Sequence, residues 1–139
     1  MTSKVTYLGD LRSECEHLQS KSTFITDAPL DNQGKGEAFS PTDTVATALA
    51  SCMFTIIGIK ARDNGLKVEG AYAEVTKTMA ADPRRISGIK VAITFPASYE
   101  DKDRKILERA AKTCPVLFSL HPDIVLDISF HYKHEKSIF

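Results

Sequence analysis

One segment restricts the possible folds more than any other: SPTDTVATALASCMFTIIGIKARDNG, from Ser40 to Gly65. It opens with a hydroxyl residue, Ser40, in the N-cap position and with Pro41 at the first helical position, where a missing N–H costs nothing. Asp43 stands three residues after the cap as a variant of the capping box, and its charge suits the positive end of the helix dipole. Asn64-Gly65 supplies the stop. Between these signals nearly every position from Val45 to Ile59 is apolar or small. A helix that is apolar on all sides is buried on all sides. The segment therefore predicts a central helix, wrapped by a sheet or by a second chain. It also carries one thiol, Cys52, in the middle of the apolar run.

The flanking sequence predicts strands around that helix. Val5 to Leu8 and Glu14 to His17 read as short extended pieces, and Ser22 to Thr26 (STFIT) as a strand rich in β-branched and aromatic residues. Ala28 to Ala38 (APLDNQGKGEA) is a long loop, of the kind that is functional or covers a partner. Lys67 to Ala80 predicts a strand, and Ala81 to Arg85 a turn. Ile86 to Phe95, with Ile89, Val91, Ile93 and Phe95 on one face, predicts its antiparallel partner. Glu100 to Thr113 predicts an amphipathic helix with Ile106, Leu107, Ala110 and Ala111 inward. Pro115 disfavours helical geometry at Cys114, VLFSLHPD can hold one short helical turn, and Ile124 to Tyr132 reads as a final strand. The terminal KHEKSIF frays or docks on a partner. With no repeat, linker or low-complexity tract, the expectation is one α+β domain over residues 1–139.

Composition removes several classes of function. A chain of 139 residues, 42% of them hydrophobic, can build a core without disulfide staples. Eighteen basic residues balance eighteen acidic ones, so there is no basic field to attract nucleic acid or an anionic membrane. The N-terminus lacks a signal-peptide core, and the run Met53 to Ile59, broken by Thr55 and Gly58, is too short to span a bilayer. A cytoplasmic protein is expected, in which the three cysteines are free or catalytic thiols. Cys15, Cys52 and Cys114 form no CxxC pair, and His17, His121, His131 and His134 have no ligand spacing with them, so no metal is expected. Gly34-Lys35-Gly36 lacks the rest of a phosphate-binding loop.

The thiols admit two readings each. Cys52 is an inert core filler, as buried cysteines usually are, or a reagent that needs a nearby cation. It lies about three turns into the helix, beyond the reach of the macrodipole. Cys114, at a helix end unwound by Pro115, is expected to be exposed and able to move. It either closes the helix or swings toward an oxidised Cys52. Cys15 sits between Glu14 and Glu16, which oppose thiolate formation, and reads as incidental.

Several of these features fall in a known order. SPTDTVATALASC, with Pro41 eleven residues before Cys52, KTCPV sixty-two residues after it, the early YLGDLR, the GKGEAFSPTD approach and the two-helix layout together resemble the OsmC/Ohr family, across nearly the whole chain. The resemblance implies an α+β, OsmC-like fold: antiparallel sheets wrapped around two central helices in an intertwined homodimer, with active sites at the subunit interface. It implies a thiol-dependent peroxidase of small organic hydroperoxides. Cys52 would be the peroxidatic thiol and Cys114 the resolving one. No bound cofactor is implied, the reductant being an external dithiol such as a dihydrolipoyl group. Arg12 matches the arginine that holds the thiolate and polarises the peroxide, a role that suits a permanently charged guanidinium. Peroxidase branches pair that arginine with a glutamate directly after the helix proline. Here that position is Thr42, and the next residue, Asp43, is acidic but about 100° around the helix. The departure supports a second reading, an OsmC-like dimer that holds a small hydrophobic ligand at its interface with structural or redox-sensing thiols. A purely structural, self-associating protein is the third.

Overall fold

The computed structural model describes residues 1–133. His134, Glu135 and the rest of the expected terminal tail lie outside the described residues. The chain divides into two compact units, Met1–Val45 and Ala46–Phe139.

The first unit is an antiparallel three-stranded sheet in the order β1 (Ser3–Gly9), β2 (Arg12–His17), β3 (Thr23–Asp27). The β1–β2 connection is Asp10-Leu11, both at positive φ (53° and 63°), as a tight hairpin turn requires. After β3 the chain runs through a short 3-10 turn at Leu30–Asn32 to Ser40. This sheet buries no apolar side chain fully, and Val5, Tyr7, Leu8 and Phe24 are exposed on it.

Helix α1 (Pro41–Asp63) starts at the expected cap. The Ser40 amide donates to Asp43 Oδ2 at 3.0 Å, and the Asp43 amide donates to Ser40 Oγ at 3.0 Å, so the reciprocal capping box forms with aspartate in place of glutamate. Burial on all sides is not what the chain achieves. Ala46, Leu49, Ala50, Met53, Ile57 and Ala61 form one buried stripe, while Val45 and Ile59 are exposed. One sheet covers one face of a helix, and Val45 and Ile59 stand outside the buried stripe. By length and composition alone α1 is also long and apolar enough to cross a membrane (mean hydropathy 1.6 over an 18-residue window), but its buried stripe lies in a protein core.

The second unit sets that stripe against a sheet of β4 (Tyr72–Ala80), β5 (Arg85–Phe95) and β6 (Val125–Tyr132). In β5 the alternation holds: Ile89, Val91, Ile93 and Phe95 are buried. Fully burying a side chain of this kind contributes about 1.5–3 kcal/mol. β4 pairs antiparallel to β5, but β6 pairs parallel to it, a departure from the all-antiparallel expectation. The cause is the crossover: α2 (Asp101–Ala111) and α3 (Pro115–Ser119) carry the chain back along the sheet, as parallel neighbours require. Lys67 to Ala71 precede β4 as loop and not strand. Leu107, Ala110 and Ala111 of α2 complete the core. Tyr132 fastens α2 to β6, donating its hydroxyl to Glu108 at 2.6 Å under the Arg104 guanidinium.

Candidate active site

Cys52 stands on α1 beside the buried stripe, one residue before Met53, and is only partly buried. Cys114 is fully buried. This reverses the expectation of a dry Cys52 and an accessible Cys114. The reason is local. Leu107, Ala110 and Ala111 already face the core, and the chain leaves α2 with Cys114 on the same side, i+3 from Ala111. Pro115 does break the helix, and Cys114 adopts extended geometry. The break starts a new helix instead of exposing the side chain: Cys114 is the N-cap of α3, and its Sγ accepts from the Leu117 amide at 3.4 Å.

The two thiols adjoin one another. Burial pushes the Cys114 thiol up, and its interaction with Cys52 adds to that, against the opposing amide hydrogen bonds from Leu117 and Val116. Cys114 is therefore held protonated at neutral pH. A protonated thiol is a poor nucleophile, and Cys52 is the more accessible of the two. Cys15 is distant in role as well as sequence: it sits on β2 opposite Val5 and Phe24.

In the first unit, Arg12 and Asp27 are cross-strand partners at the β2–β3 pair. Arg12 Nε donates to Asp27 Oδ1 at 2.7 Å and Nη2 to Asp27 Oδ2 at 2.8 Å, a bidentate pair. Nη2 also donates to Glu37 Oε1 at 3.0 Å. The Asp27 side chain is 1% exposed and that of Glu37 66% exposed. The Glu37 amide donates to Asp27 Oδ2 at 3.1 Å, so the loop backbone and the guanidinium share one carboxylate. Hydrogen bonds from Arg12 hold the Asp27 carboxyl below its ordinary range despite burial, and the two carboxylates push the Arg12 guanidinium further up.

Asp43, the acidic residue nearest to the family's glutamate position, is engaged in the capping box. The carboxylates that Arg12 uses, Asp27 and Glu37, were missing from the candidates read in sequence. Asp27 carries one legible signal: it closes the strand Thr23–Asp27, where hairpin register sets it opposite Arg12. Glu37 lies in a loop and carries none.

An α+β chain with an apolar helix bearing one accessible thiol, and a second thiol capping the next short helix, defines a cysteine-centred class of protein. The comparisons specify it. Residues 34–129 match the model of the OsmC-like protein family. A solved structure from Psychrobacter arcticus, named for osmotic stress induction and a detoxification response, is 62% identical, with 94% of this chain and 96% of that one covered at a TM-score of 0.92. The organic hydroperoxide resistance protein OsmC of Legionella pneumophila shares the fold at 16% identity (94% and 97% covered, TM-score 0.74). An organic hydroperoxide resistance protein of Elizabethkingia anophelis shares it at 12% (96% and 97% covered, TM-score 0.75). No curated protein matches. The chain belongs to the OsmC-like protein family.

Proposed function

We propose that the protein is a cytoplasmic, thiol-dependent peroxidase that reduces small organic hydroperoxides. The observation that carries this reading is the adjoining pair of Cys52, partly exposed, and Cys114, buried and protonated. The Cys52 thiolate attacks one peroxide oxygen, the O–O bond breaks, and the alkoxide takes a proton to leave as an alcohol. Cys52 is then a sulfenic acid. The Cys114 thiol condenses with it, forming the S–S bond and releasing water, before oxidation goes further. An external dithiol, such as a dihydrolipoyl group, reduces the disulfide by exchange. Arg12 is the family's candidate for the cation that holds the thiolate, and no bound cofactor is needed. A second copy of the chain is the proposed partner, supported by the exposed Val5, Tyr7, Leu8 and Phe24 of the first unit.

The test is turnover of cumene or tert-butyl hydroperoxide by purified protein with a dithiol present. Wild type is expected to consume peroxide and Cys52→Ser to consume none; equal rates in the two refute the reading. Thr42 in place of the family's glutamate favours a second reading, an OsmC-like dimer that holds a small hydrophobic ligand at its interface, with structural or redox-sensing thiols. Native mass spectrometry with a co-purified lipophile and no peroxide turnover would select it.

A further inference from the structure

A cavity of about 410 Å³ opens at the C-terminal end of α1, and the proposed peroxide chemistry makes no use of it. We propose that it binds a small amphipathic anion: a carboxylate with a short alkyl chain, its head group on Arg62 and Lys67 and its chain on Ala61, Leu66 and Val68. The cavity lies wholly within the second unit, and so within one chain, unlike a pocket at a subunit interface. Its α1 residues run from Gly58 to Arg62, roughly 9–15 Å beyond Cys52 along the helix axis. Cys52 does not line it.

The end of the helix builds the site. Gly65, at a φ of +68°, turns the chain out of α1. The Leu66 amide then donates to the Ala61 carbonyl at 2.8 Å and the Gly65 amide to the Arg62 carbonyl at 3.3 Å. Two carbonyls of the last turn are thereby satisfied, which weakens the negative helix pole that would otherwise repel an anion. The same closure brings Leu66 and Val68 back against the core, beside the buried Ala61. The Tyr99 hydroxyl donates to the Lys67 carbonyl at 2.6 Å and pins this connection. Glycines keep the space open: a Cβ on Gly58 or Gly65 would meet no atom within 4 Å. The floor is therefore apolar, and its rim carries charge. Among the described residues neither Arg62 nor Lys67 has an ion-pair partner. The carboxylate on the same wall, Glu69, already acts on Tyr99: burial pushes the Tyr99 phenol up, and the Glu69 charge adds to that. Two cations against one carboxylate leave the wall net positive. An apolar floor with a few polar groups to fix orientation is the chemistry of a small-molecule site, and the volume falls in the range of such sites. A neutral lipophile would leave both cations unused and an alkylammonium would face them, so a carboxylate is the class that satisfies floor and rim together.

The experiment is titration of the isotope-labelled full chain with sodium octanoate, read by amide NMR shifts, with octylammonium chloride as the charge-reversed control. Octanoate is expected to give saturable shifts at the Gly65, Leu66, Lys67 and Val68 amides, and octylammonium none that saturate. Arg62→Gln and Lys67→Gln should each raise Kd about two- to fivefold, the scale of one exposed ion pair. Gly58→Leu puts a side chain into the open space and should raise Kd about tenfold or more. It should melt no lower than wild type, because leucine is the better helix former. Cys52→Ser should bind octanoate as wild type does, which separates this site from the peroxidase reading: absent peroxide turnover would leave the inference standing, and absent octanoate binding would leave the peroxidase reading standing. No saturable shifts, shifts centred on Cys52, or a folded Gly58→Leu with wild-type affinity overturns the site. Equal binding of octylammonium overturns the choice of an anion. If Gly58→Leu does not fold, the two glutamine variants decide, and unchanged affinity in both overturns the head-group assignment.

Discussion

Cys114→Ser separates the structural role of this residue from its proposed chemical one. In the structure Cys114 caps α3, accepting from the Leu117 amide at 3.4 Å with Pro115 at the first helical position. Serine is a preferred N-cap, so the variant keeps that bond, and its shorter oxygen leaves only a small gap in the core. Alanine loses the cap, at about 1 kcal/mol. Cys114→Ser should thus melt within about 1 kcal/mol of wild type, a few degrees at most, and Cys114→Ala below it. The chemical effect should be large for both. Given one equivalent of cumene hydroperoxide, wild type should lose two hydrogens, as the Cys52–Cys114 disulfide forms. Either variant should instead gain one oxygen on Cys52, trap dimedone there, and gain further oxygens irreversibly with excess peroxide. Intact-mass spectrometry with peptide mapping reads each outcome. A Cys52–Cys15 disulfide in Cys114→Ser would refute the assignment of Cys114, and a Cys52 that takes up no oxygen would refute the assignment of Cys52.

Three further outcomes follow from the same coordinates. Ser40→Ala removes the acceptor for the Asp43 amide and should destabilise the protein by about 1 kcal/mol in chemical denaturation. Because the Cys114 thiol is pushed up in the folded state, the unfolded chain loses this proton first as pH rises, so stability should fall above the ordinary thiol value of about 8.5, and Cys114→Ser should flatten that alkaline limb in urea titrations. Leu11 holds a positive φ of 63°, so Leu11→Gly should stabilise the protein slightly in chemical denaturation, by roughly 0.5 kcal/mol of relieved strain net of glycine's added entropy in the unfolded chain.

Local signals in the sequence were legible where one residue type does one job. Ser40, Pro41 and Asp43 start α1 as their chemistry dictates, and the period of two in Ile89, Val91, Ile93 and Phe95 fixes the buried face of β5. His121-Pro122-Asp123 forms a turn, closed by the Asp123 amide on His121 Nδ1. What required the fold was placement across elements. Pro115 correctly breaks a helix, but the exposure inferred from the break is wrong, because the stripe Leu107, Ala110, Ala111 directs Cys114 inward. The parallel β5–β6 pair depends on where α2 and α3 return the chain, which no periodicity records. Arg12 was legible as a candidate; its partners Asp27 and Glu37, 15 and 25 residues away, were set by strand register and loop path.

Two features of α1 belong together. Its composition predicts burial on all sides, and its length and mean hydropathy also fit a membrane span, yet in this chain only one stripe is buried. A sequence is shaped by the state in which the protein works, and a helix pays a solvation cost for every apolar side chain that state leaves in water. The surplus on α1, Val45 and Ile59 among it, fits the proposed second copy of the chain as its cover. The first unit shows the same surplus independently: a three-stranded sheet without a buried apolar side chain, exposing Val5, Tyr7, Leu8 and Phe24. Isolated sheets of this kind need a packed face to persist. A bilayer would cover the helix but would leave the hairpin sheet, with Lys4, Glu14 and Glu16 among its strand residues, without a reason for its apolar positions. A second copy of the chain accounts for both surpluses at once, which is why the proposed partner is a protein surface and not a lipid one.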